Sequence, residues 1–176
     1  MRPSPLWVGI LGMLILGTTA YLGKVQATPS AGFTATTLAV GRLGDINASS
    51  HVFFPDDSEG RHRRNLWLSF QKTKGPSDLY VQSNAWAPGG TTGWHTHPSH
   101  SLIIVTAGTL TAYDGDDPAC TPHVYTAGMG LVDEGGDHTH VIRNEGSVEA
   151  RTVAVQLIPA GATRRIDAEG NAACPF

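Results

Sequence analysis

The chain has 176 residues, 15 acidic against 12 basic side chains, and a formal charge of −3. That length suits one domain with a proper core. A mildly acidic balance gives no electrostatic case for a nucleic-acid partner.

The first segment is set apart from the rest. Arg2 precedes an uncharged run from Leu6 to Leu22, and Lys24 is followed by Val25, Gln26 and Ala27. This reads as a secretory signal cleaved after Ala27; left uncleaved, it would be an N-terminal membrane anchor. Either way the remainder is exported, periplasmic or extracellular. Losing Arg2 and Lys24 with no acid takes the formal charge from −3 to −5.

After residue 27 no helical periodicity of useful length appears. Short β-branched runs predict strands at Phe33–Val40, Asn65–Gln71, Leu79–Trp86, Gly93–His97, Leu102–Thr106, Thr109–Tyr113, His123–Thr126, Gly130–Val132, His138–Arg143 and Ala150–Ile158. Turn signals rich in Gly, Pro, Asn and Asp separate them. Residues 41–64 read as a polar, irregular surface excursion, with "GRHRRN" at 60–65 a solvated loop. The fold class is therefore all-β, an antiparallel sandwich or barrel. The predicted organisation is a signal or anchor at 1–27, an N-terminal strand and surface segment at 28–64, a barrel at 65–160 and a tail at 161–176. The tail is loosely ordered unless something pins it. Cys120 and Cys174, an even pair in an oxidising compartment, predict one disulfide that would do so.

Chemistry concentrates in the histidines. Side chains at i and i+2 of a strand share a face, so His95 and His97 project together, and so do His138 and His140 if their strand is regular. One such pair is better explained by surface packing than by a metal. Two pairs on separate predicted strands of a small β-rich domain point to a metal site. Imidazole suits several divalent ions, among them Fe, Zn, Ni and Cu, and does not choose between them. Trp67, Trp86 and Trp94 read as core or cross-strand residues, and the Asp114–Asp117 run as a hairpin turn.

Gly89, His95, His97 and Gly108 fall on the first motif of the cupin superfamily, small double-stranded β-helix barrels of jelly-roll type, with Ser101 where that motif carries a glutamate. Gly128, Gly136, His140 and Asn144 follow the second motif, with Glu134 in place of its proline and one extra residue before the histidine. The chain thus resembles the cupins over roughly residues 80–158. The resemblance implies His95, His97 and His140 as ligands of a divalent metal, with Mn added to the candidate ions. His138 and His100 are the alternatives for a fourth ligand.

Ser101 removes the usual acid, Glu134 and Asp137 fall on a turn, and no other carboxylate reads as inward-facing. Two functions stay open: a metal-dependent oxygenase or isomerase of a small oxygenated molecule, and a non-catalytic module that binds a small ligand or holds metal. The expected partners are a small molecule and, by analogy with cupins, a second copy in a homodimer; a membrane enters only through an uncleaved N-terminal segment.

Overall fold

The computed structural model describes residues 28–53 and 66–176. The apolar leader and the basic cluster at 60–65 lie outside the described residues. Every regular element described is a strand.

A long strand, β4 (Ser77–Thr91), organises the main sheet. Along one side runs β1 (Ala31–Leu43), with Gly41 opposite Leu79 and Phe33 opposite Trp86. Along the other runs β11 (Ala150–Pro159), which sets Leu157 and Ala150 opposite the same two residues. Next come β6 (Ser101–Ala107) on β11 and β9 (Gly130–Asp133) on β6. The far end of β4 meets β10 (His140–Arg143) through Thr91 and Arg143. β7 (Thr109–Asp114) lies on β10, and β8 (His123–Thr126) on β7. The short β5 (His95–Thr96) and β12 (Ile166–Asp167) complete the wall beside β10. All these pairings are antiparallel, and the sheet curls into a nearly closed jelly-roll-like barrel.

The strands form where the period-two pattern demands it. In β6, Ser101, Ile103 and Val105 are buried while Leu102 and Ile104 face outward. β11 alternates in the same way over ten residues. Their inward side chains join Trp86, Leu110, Ala112 and Ile142 in the barrel core. Burial of each large apolar side chain there is worth about 1.5–3 kcal/mol.

The front of the chain departs from expectation. β1 continues to Leu43, and β2 (Asn47–Phe53) pairs with β3 (Leu66–Lys72) as a separate two-stranded ribbon. Residues 41–43 and 47–53 are therefore strand, joined by a short link at 44–46, and not an irregular excursion. The ribbon is largely exposed, so "NASSHVF" has no buried face to imprint an alternation.

The tail is pinned. Cys120 and Cys174 form the disulfide, at a Cα separation of 5.3 Å. Cys174 packs with Trp94, Tyr113 and Val141 in a second small core on the outer side of β5. Between that anchor and β11, residues 160–168 cross the barrel mouth as a strap. β12 pairs Ile166 with Thr96 and Asp167 with His95. Gly93, just before β5, has φ +67°, and a Cβ there would stand 1.9 Å from the Thr28 carbonyl oxygen, so only glycine fits.

Candidate metal centre

His95 and His140 face each other across the β5–β10 pairing and are both about 5% exposed. His97 follows β5, its side chain on the same side. The three rings cluster, with centroids 4.4 Å apart for His95–His140, 4.8 Å for His95–His97 and 5.6 Å for His97–His140. One nitrogen from each lies within 4.8 Å of the other two. Ligands bonded at about 2.0–2.1 Å to one ion sit roughly 3–4 Å apart, so a small contraction of this cluster closes a site.

The orientation of each ring is fixed by backbone. His95 Nδ1 donates to the Gly93 carbonyl at 2.9 Å, which leaves Nε2 for the cavity. His97 Nδ1 donates to the Arg164 carbonyl on the strap, so its Nε2 also faces inward. Such outer partners set the tautomer of metal-binding histidines.

A carboxylate completes the group. Asp133 closes β9 directly opposite Ser101, with its side chain 2% exposed. Its Oδ2 lies 3.0 Å from His97 Nε2 and its Oδ1 3.3 Å from His140 Nδ1. The Gly135 amide donates to Oδ1 at 3.2 Å and steadies it. Reading the sequence as devoid of an inward acid is therefore corrected: the acid absent at position 101 stands on the neighbouring strand. Ser101 does point inward and accepts from Gln156 Nε2 at 3.1 Å.

The donor set fits a cation. With Nδ1 already donating, a neutral His97 presents a lone pair at Nε2, and that lone pair faces a carboxylate oxygen. Only a positive charge between them, a proton or a metal ion, makes the contact favourable. His140 Nδ1 is buried without a hydrogen-bond partner. Burial is the main cause that lowers His95 to about 2, with the charges of His140, Arg165 and His97 adding to it. Burial also brings His140 to about 4, against the opposing pull of Asp133. Burial alone would raise the Asp133 carboxyl. The contact with His97, and the pull of His140, His97 and His95 whenever these imidazoles carry a proton, outweigh it and hold the group below the usual carboxylate range. At neutral pH the site thus offers neutral imidazoles on His95 and His140 and an ionised carboxylate, the protonation states metal binding requires.

The two alternative histidines stand outside the cluster of three. His100 lies beside Ser99, its Nδ1 3.5 Å from Ser99 Oγ, and lines a separate cleft with Pro98 and Leu157. His138 precedes β10 rather than lying on it, yet its ring stacks beside that of His140, with centroids 6.2 Å apart. Its Nε2 is 3.5 Å from Asp114 Oδ1, in a second cavity that also contains His123.

The cluster lines a cavity of about 200 Å³ whose other walls include Asn84, Trp86, Ile103, Gln156, Arg164 and Arg165. Residues 85–156 match the profile of the family described as "Cupin domain". Over these residues the barrel belongs to the cupin family. No curated protein sequence matches the chain. Among solved structures, it is similar to a Klebsiella pneumoniae protein with a double-stranded β-helix domain: 21% identity, TM-score 0.43, 52% of this chain and 76% of that one. A cupin superfamily protein from Desulfitobacterium hafniense shows 15% identity and a TM-score of 0.39 over 46% of this chain and 67% of that one. An oxalate oxidase shows 24% identity and a TM-score of 0.39, with 47% of this cupin covering 46% of that chain.

Proposed function

We propose that this protein is an exported, metal-dependent cupin that acts on a small oxygenated molecule as an oxygenase or isomerase. His95, His97 and His140 hold a divalent ion, with Asp133 as the fourth ligand. The observation that carries the reading is the convergence of three inward imidazoles and one buried, ionised carboxylate on a single small cavity. A bound ion there supplies Lewis acidity and open coordination positions. The chain's own contribution is to fix the ligands through Gly93, Arg164 and Gly135, to balance charge through Asp133, and to limit substrate size by the cavity. The signal segment at 1–27, cleaved after Ala27, belongs to the same proposal. The Cys120–Cys174 disulfide is consistent with export. Among the described residues no helix is long and apolar enough to cross a membrane.

The test is to express the full chain, recover it from the exported fraction, load it with each candidate metal, and follow dioxygen uptake and isomer formation over a panel of small hydroxy and carbonyl compounds. Turnover by the wild type that is lost in His140→Ala supports the proposal. Metal retained without turnover on any of the panel favours the non-catalytic module.

A further inference from the structure

We propose that the cavity recognises an anion through Arg165 and that its occupant is a small carboxylate. The anion site stands on Arg165 itself; the claim that this anion is the metal centre's substrate rests on the metal reading above.

The strap delivers two guanidinium groups to the cavity wall, and they differ. Arg164 is already engaged: Nε donates to Gln156 Oε1 and Nη1 to Thr37 Oγ1, each at 3.3 Å, and its plane lies 4.0 Å over the Tyr80 ring. Arg165 is only half engaged. Its Nε donates to Asp167 Oδ1 at 2.7 Å, while its Nη2 is buried with no hydrogen-bond partner. A buried cationic donor left unsatisfied is costly, and a ligand oxygen removes that cost. Continuing the β5–β12 register by one residue sets Arg165 across from His97, beside the metal ligands.

Charge and size narrow the occupant. Among the described residues lining the cavity Asp133 is the one acid, against two guanidiniums, of which Arg165 is also paired with Asp167 beyond the lining. A divalent ion on the histidines would leave the cavity with a positive excess even after Asp133 and Asp167 are counted, and an anion would offset it. Two more buried, unpartnered atoms belong to lining residues: the donor Trp86 Nε1, which an oxygen of the occupant can satisfy, and the acceptor Asn84 Oδ1, which calls for a donor such as a hydroxyl. About 200 Å³ suits a small molecule, since a cavity of roughly 150 Å³ already accommodates a six-carbon ring. The planar fork of arginine matches a carboxylate edge. Both arginines lie beyond residues 85–156, so this feature belongs to this chain's strap rather than to the matched family region.

The experiment is calorimetric titration of acetate, malonate, neutral malonamide and inorganic phosphate into the full-length metal-loaded protein. Wild type, Arg165→Gln and Arg165→Lys are compared, with metal content and thermal melting measured for each. Saturable binding of malonate or acetate is expected. It should weaken about ten- to a hundred-fold in Arg165→Gln and less in Arg165→Lys, with metal content unchanged and no saturable binding of malonamide. Equal affinity in the wild type and Arg165→Gln, malonamide bound as well as malonate, or no saturable carboxylate binding at all would overturn the proposal. Tighter binding of phosphate than of either carboxylate would overturn the carboxylate class. The same series on metal-stripped protein separates the two readings: if Arg165-dependent binding persists in a protein that takes up no metal, the anion site stands and the metal reading fails.

Discussion

Replacing Asp133 by asparagine removes one charge and almost no volume from the centre of the site. The fold should tolerate it. The asparagine carbonyl can still accept from the Gly135 amide, and its NH2 can donate to His97 Nε2, a free acceptor once Nδ1 is bound to the Arg164 carbonyl. Metal binding should not tolerate it. Loss of a group that orients or charge-balances metal ligands typically costs 10- to 100-fold in affinity, which is about 1.4–2.7 kcal/mol; a direct ligand belongs at or beyond the upper end. Because Ser101 and Asp133 are cross-strand partners, adding Ser101→Glu to Asp133→Asn returns the carboxylate from the neighbouring strand and should recover part of the loss. Competition against a chromophoric chelator measures the affinities, and melting of the metal-free forms checks the fold. An Asp133→Asn protein that folds normally and binds metal within about threefold of wild type would refute the role given to this residue.

Three further outcomes follow from the same geometry. Removing the disulfide by Cys120→Ser with Cys174→Ser opens a loop with a sequence separation of 54 and should lower stability by up to about 4 kcal/mol in denaturant titration. Asn144→Ala should cost about 1–3 kcal/mol without altering metal content, because Asn144 Nδ2 donates to the Trp86, Ala87 and Val148 carbonyls and so ties the turn before β11 to β4. Metal-free protein should lose stability in acid: His140 titrates near 4 folded against about 6.5 unfolded, so the unfolded state binds more protons between those values. Its contribution, on the order of 3 kcal/mol at 1.36 kcal/mol per pH unit, is fully present above about pH 6.5 and falls away toward pH 4. Denaturant midpoints that stay flat across that window would contradict the buried neutral histidine.

The barrel and its histidines were legible because period-two alternation is strong wherever one face of a strand is buried. β6 and β11 carry it over their length, and the H-x-H at 95–97 points both imidazoles one way. Asp133 was missed by one residue. The predicted strand stopped at Val132, since an acid ahead of Glu134, Gly135 and Gly136 looks like a turn former, while alternation from Leu131 would have put it on the inner face. For His138 the strand boundary was misjudged: β10 starts two residues later than expected, and the ring stacks beside His140 without joining the cluster of three. The strap carries no pattern at all. Arg164 and Arg165 reach the cavity through a disulfide and a two-residue pairing with β5, both of which bring together residues far apart in the chain.

The central claim is that His95, His97 and His140, with Asp133, hold a divalent metal ion, and elemental analysis of the purified protein tests it most directly. The account predicts close to one divalent ion per chain in the wild type, and loss of most of it in each single replacement of His95, His97 or His140 by alanine, with β-sheet circular dichroism unchanged. A folded wild-type protein that carries no metal and takes none up on titration would contradict it.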